Sequence, residues 1–168
     1  MNPVVLSAST SNLPITFLAS ILLWLMLGGL IILWFIDGKI KKRQVVDALL
    51  AFFIAWLISE ILKSIFPTVR PYELNGKLPL TITLFHSSGA FPSAHAAMAF
   101  ALSVNVYLHD RRVGLFYILG AILVAFGRVF SNVHYPIDVV AGALLGTAIA
   151  VAVGRLKLYD FLARLKLK

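Results

Sequence analysis

Long apolar runs broken by short polar clusters make up most of this chain. Leu13 to Ile36 is apolar almost without interruption, long enough as a helix to cross a bilayer core of roughly 30 Å. It stops at Asp37-Gly38 and a basic run, Lys39, Lys41, Lys42 and Arg43. A second run, Val45 to Phe66, holds Asp47 near its start and Glu60 and Lys63 in its last turns. It ends at Pro67, which breaks a regular helix. Between Thr68 and Phe91 the pattern changes: Asn75-Gly76, Pro79 and Ser87-Ser88-Gly89 are turn signals. Leu80 to Phe85 is apolar but too short to span, and is expected to lie at the membrane surface. Pro92-Ser93 signals a helix start, with Pro in the first turn or Ser as the cap. A third run continues to Leu108, short for a span unless one end sits among the headgroups. His109-Asp110-Arg111-Arg112 connects it to a fourth, Val113 to Phe130, and Ser131 to Tyr135 leads to a fifth, Pro136 to Val153.

The pattern predicts an all-α integral membrane bundle of about five transmembrane helices, near 13–36, 45–66, 93–108, 113–130 and 136–153. It leaves a loop at 67–92 and a tail at 155–168, where Leu alternates with Lys and Arg as in a basic amphipathic segment on an anionic leaflet. Composition agrees. Of 168 residues 60% are hydrophobic and the mean hydropathy is +0.93, above the roughly 45–50% apolar content of soluble domains. The length suits one domain, residues 1–168. Met1 to Asn12 carries no Lys or Arg and no small-residue cleavage site, so a cleaved signal peptide is not expected. With no cysteine, thiol chemistry and thiolate metal sites are excluded.

The net charge of +8 would suggest nucleic acid in a soluble protein. Here topology accounts for it. Lys39, Lys41, Lys42, Arg43, Arg111, Arg112, Arg155, Lys157, Arg164, Lys166 and Lys168 fall on one side of the five spans; Lys63, Arg70, Lys77 and Arg128 fall on the other. The richer side is expected to be cytoplasmic. The N-terminus and the remaining polar clusters then face outward from the cell membrane, the C-terminus faces the cytoplasm, and no nucleic-acid partner is implied.

On the outer face stand Lys63, Arg70 and Arg128, two histidines and a serine. Guanidinium and ammonium groups beside a helix start describe an oxyanion site, most naturally a phosphate. Ser93 opens the third helix, so the backbone N–H groups of Ala94 and His95 are available. His134 and Asp138 straddle Tyr135-Pro136. Pro136 starts the fifth helix and sets Asp138 in its first turn, where the dipole favours a carboxylate. From there Asp138 can hold one imidazole nitrogen and leave the other facing the cations, as a nucleophilic histidine requires.

Lys63-x6-Arg70-Pro71, Pro92-Ser93-Ala94-His95 and Arg128-x5-His134-x3-Asp138 together resemble the three-part signature of the type 2 phosphatidic acid phosphatase superfamily. That family includes bacterial undecaprenyl-diphosphate phosphatases and is related to vanadium haloperoxidases. The resemblance covers residues 63–138 and implies roles. His134 attacks phosphorus to form a phosphohistidine and Asp138 orients it. His95 protonates the leaving oxygen and then activates water. Lys63, Arg70, Ser93, Ala94 and Arg128 hold the phosphoryl oxygens, with no metal and no cofactor. Two positions depart from the pattern: Ala94 where the family usually has Gly, and Gly127 where it usually has Ser. The first costs a methyl group, the second a hydroxyl. The family commonly has six spans, so with about five expected here one N-terminal helix fewer is expected.

His86 and His109 fit no motif and read as interfacial polar groups, and Glu60 reads as the i, i+3 partner of Lys63. No ligand-spaced pair points to a metal. The expected substrate is a lipid phosphate or diphosphate in the bilayer, undecaprenyl diphosphate first, with phosphatidylglycerophosphate, phosphatidic acid and lipid A phosphate as alternatives. A catalytically inactive lipid-phosphate-binding or scaffold protein is the alternative of another class. Haloperoxidase chemistry is disfavoured because those relatives are soluble.

Overall fold

The computed structural model describes residues 12–36, 42–81 and 89–156. Among these residues every regular element is a helix. The first rod is continuous but changes pitch: α1 (Leu13–Thr16), a π-helical turn (Phe17–Ile21) and α2 (Leu22–Ile36). Then come α3 (Lys42–Ile65), the single turn α4 (Pro71–Asn75), α5 (Ala94–His109), α6 (Arg111–Phe130) and α7 (Pro136–Leu156). The helices begin and end close to the expected boundaries, with α3 beginning a few residues early and α7 ending a few late. The stretch 82–88, which holds most of the expected surface segment and His86, lies outside the described residues, as do 37–41 and the basic tail from 157.

Among the described residues four stretches are long and apolar enough to cross a membrane: Leu13–Ile32, Arg43–Ile65, Arg111–Phe130 and Pro136–Leu156. Their outward faces leave Phe116, Phe126, Phe130 and Leu144 exposed, as lipid-facing side chains should be. The chain is a multi-pass helical membrane protein. α5 differs from the other long helices. Its 16 residues reach only about 24 Å, and it runs through the middle of the bundle against α3, α6 and α7.

Small residues let α5 sit there. Ala96, Ala97, Ala99 and Ala101 are fully buried, and α7 meets them with glycines. A Cβ on Gly142 would stand 2.5 Å from the Ser93 carbonyl oxygen, and one on Gly146 would collide with the Ala97 carbonyl. Close backbone approach of this kind is how helices associate where apolar burial gives no advantage over lipid. It also fixes the start of α5 against the start of α7, where two of the three motifs lie.

Helix ends are secured locally. Asp110 caps α6, its Oδ1 accepting from Arg112 N–H at 2.9 Å and Val113 N–H at 3.0 Å. Ser93 occupies the N-cap of α5 by backbone conformation, but its hydroxyl makes no capping bond. The cap reading of Ser93 is therefore corrected: position without the side-chain hydrogen bond.

Candidate active site

All three motifs meet at one end of the bundle. Lys63 comes from the last turn of α3, Arg70 from the segment after it, Ser93, Ala94 and His95 from the start of α5, Arg128 from the last turn of α6, and His134 and Asp138 from the α6–α7 connection and the first turn of α7.

Backbone staples hold these segments in register. Thr68 Oγ1 accepts from Ala90 N–H at 3.0 Å and Phe91 N–H at 2.8 Å, tying the approach to the second motif onto the first. Arg70 Nη2 lies 3.4 Å from the Gly89 carbonyl. Ser93 N–H donates to the Asp138 carbonyl at 2.9 Å, joining the second motif to the third. Asn75 and Asn132 exchange amide hydrogen bonds at 2.9 and 3.1 Å. Asn132 does so from a left-handed conformation, φ 63°, which asparagine tolerates better than most residues.

The charged groups are buried, so partners matter. Lys63 pairs with Glu60 at 2.6 Å, as the i, i+3 spacing suggested. Arg128 directs Nη1 toward the Ala19 carbonyl at 3.4 Å and Ser20 Oγ at 3.5 Å, both long contacts. Its Nε has no partner. His134 is 3% exposed and Asp138 2%. The two approach to 3.5 Å between Nδ1 and Oδ2, while Oδ2 accepts a 2.8 Å hydrogen bond from Tyr135 N–H. Asp138 thus faces Nδ1 electrostatically from just beyond hydrogen-bond length, a gap of the kind that closes when substrate binds. Nε2 is the nitrogen left for chemistry.

Burial pushes the His134 imidazole down from its ordinary 6.5 to about 4; the Arg128 and Arg70 charges push the same way, and the Asp138 contact opposes them. The ring is therefore neutral near pH 7, as a nucleophile must be.

A cavity of about 510 Å³ unites the site. Lys63, Arg70, Ala94, His95, Arg128 and His134 line its polar end. Ser93 and Asp138 do not reach its wall; Ser93 Oγ is buried without a partner. Much of the rest of the wall is apolar: Trp24 and Leu27 from α2, Phe52, Phe53 and Trp56 from α3, and Met98 from α5, with Glu60 beside Lys63. Among the described residues no group of three or more His, Cys, Asp and Glu side chains could hold a metal ion.

Sequence reasoning placed a span over the first rod but no site residue on it. Thr16 and Ser20 line the same cavity as the motif residues. Their signal was visible: two hydroxyls four apart on an otherwise apolar helix share one face. Gly127 also acquires a reason. A Cβ there would lie 2.6 Å from Ala19 N and 2.7 Å from the Leu18 carbonyl carbon. The first rod packs directly on α6 at this point, leaving no space for a side chain.

Membrane-crossing helices around a cavity with cations at one end and hydrocarbon-like walls at the other define a membrane-embedded phosphatase of lipid substrates. The chain belongs to the PAP2 superfamily, whose family model matches residues 44–161. It is 30% identical to the bacitracin transport permease protein BcrC of Bacillus licheniformis over 147 residues, 86% of this chain and 71% of that protein. It is 28% identical to the undecaprenyl-diphosphatase of Sulfolobus acidocaldarius over 67% of this chain, spanning only 54% of the relative's length. The crystal structure of Aquifex aeolicus LpxE superposes with a TM-score of 0.68 at 25% identity, covering 86% of this chain and 87% of that one.

Proposed function

We propose that the chain removes the terminal phosphate of a polyprenyl diphosphate, undecaprenyl diphosphate foremost, through a phosphohistidine at His134. The observation that carries this reading is the single cavity in which His134 and His95 face Lys63, Arg70 and Arg128 at one end while the far wall is aromatic and aliphatic. A headgroup fits the first and a tail still in the bilayer fits the second. Similarity to an undecaprenyl-diphosphatase supports the choice of lipid.

In the first step His134 Nε2 attacks the terminal phosphorus, and the bond to the bridging oxygen breaks as His95 gives that oxygen a proton. Asp138, beside Nδ1, offsets the charge that the ring acquires. In the second step His95 takes a proton from water, whose oxygen attacks phosphorus and releases inorganic phosphate from His134. Lys63, Arg70 and Arg128 stabilise the three equatorial oxygens in both steps, and Ser93 with the free N–H groups at the start of α5 supports the same cradle. The asymmetry of basic residues supports an outward-facing site at the cell membrane, in a bundle of five crossings with α5 as the short central one.

A lipid phosphate monoester is the second reading, because the cavity wall carries one cluster of cations, sufficient for one phosphoryl group. Phosphate release from purified protein decides among the readings. Wild type should release phosphate from undecaprenyl diphosphate faster than from phosphatidic acid, phosphatidylglycerophosphate or lipid A. The His134→Ala variant should lose at least about 10³-fold. Equal, slow release by wild type and variant across the panel would leave the non-catalytic binding or scaffold reading in its place.

A further inference from the structure

We propose that Ser20, from a helix outside the three motifs, is a further phosphoryl-binding residue, delivered to the cavity by the π-helical turn Phe17–Ile21. The inference rests on the phosphatase reading of that cavity and adds a donor to it.

Three observations converge on Ser20. Its side chain lines the cavity together with Arg128, His95 and His134. Its Oγ lies 3.5 Å from Arg128 Nη1 and 3.0 Å from Thr81 Oγ1. Thr81 is buried, and its neighbour Leu80 is anchored by two hydrogen bonds. Leu80 N–H donates to the Ser131 carbonyl at 3.0 Å, and the Leu80 carbonyl accepts from Thr16 Oγ1 at 2.9 Å. When Thr81 donates to Ser20, both lone pairs of the Ser20 oxygen face donors, Thr81 and the Arg128 guanidinium. The hydroxyl proton is then free for an acceptor in the cavity. A hydroxyl held this way is polarised by a neighbouring cation and is a better donor for it.

The π turn is what brings Ser20 there. Its wider turn presses the Leu18–Ala19 backbone onto α6 at Gly127, the residue before Arg128. Ser20 and the cation it accompanies are thereby fixed to each other by backbone contact. π turns of this kind often mark functional sites. The acceptor that such a donor suits is a phosphoryl oxygen already held by Arg128, whose charge grows in the transition state.

Comparing S20T with S20V isolates the hydroxyl, since the two side chains are nearly equal in size; S20A removes it with less bulk. The readouts are orthovanadate affinity of the purified full chain, by thermal shift, and kcat and KM on the lipid phosphate. The expected result is that S20V and S20A lose about tenfold in vanadate affinity and in kcat, with KM little changed, while S20T stays within about threefold of wild type. Equal vanadate affinity for S20T, S20V and wild type would overturn the inference, as would a wild type that does not bind vanadate at all. If wild type binds vanadate but hydrolyses no lipid phosphate, the phosphatase reading fails while the vanadate comparison still decides the role of Ser20. A variant that does not fold leaves the other hydroxyl-free variant to be compared with S20T.

Discussion

In the proposed mechanism His134 is the nucleophile, and its burial governs how it behaves with pH. Its folded pKa of about 4 lies below the ordinary 6.5. The neutral ring is therefore favoured by folding, and the associated stability is fully present above about pH 6.5 and is lost as pH falls through 4. The imidazole NMR signal that disappears in His134→Ala should titrate near 4, and thermal stability should decline over that interval. A signal titrating at 6.5 would mean a solvated ring without the burial seen here. Sequence reasoning located His134 and Asp138 through their spacing around Pro136, because a helix start has a local code. It did not anticipate the 3.5 Å gap between them, since Asp138 Oδ2 also accepts the Tyr135 N–H. That competition arises from the fold of one short turn, and no residue type announces it.

At the scale of elements, the site depends on helices touching backbone to backbone. Gly127 is the sharpest case. Leu18 and Ala19 occupy the space where its side chain would be, so Gly127→Ser must displace the first rod and, with it, the contacts of Arg128. The expected cost is about 1–3 kcal/mol in stability, accompanied by a fall in kcat. Gly28, in the same rod, is the control: a Cβ there meets nothing within 4 Å, so Gly28→Ala should leave both unchanged or raise stability by about 0.5–1 kcal/mol. Melting temperatures and phosphate release of the two variants check this directly. If Gly127→Ser melts as wild type does, the close packing of the π turn on α6 is wrong. The element boundaries themselves were legible, since apolar runs, prolines and polar clusters mark where helices in lipid begin and end. The π turn was not, because a change of pitch inside an apolar run alters no pattern that can be read from the residues.

For the whole molecule, the asymmetry of basic residues predicts the side on which the cavity opens. Chain without any cysteine makes this easy to test. Lys77→Cys, in the exposed segment after α4, should react with an impermeant thiol reagent in intact cells, and Arg112→Cys, at the opposite end of α6, should not. The reverse outcome would turn the active end toward the cytoplasm and change the pool of lipids it meets.

By itself the sequence determined the helical membrane class, the order and approximate ends of the helices, and the identity of the motif residues. These follow from local rules: apolar length against bilayer thickness, proline and turn signals, and cations that stand where topology does not call for them. Only the tertiary structure decided which helix completes the cavity. It brought Thr16 and Ser20 beside Arg128 across more than a hundred residues of chain, buried α5 at the centre by way of Gly142 and Gly146, and closed the position of Gly127 to any side chain. Those arrangements depend on which surfaces meet, and packing between distant helices is set by the fit of whole faces, which no single stretch of residues encodes.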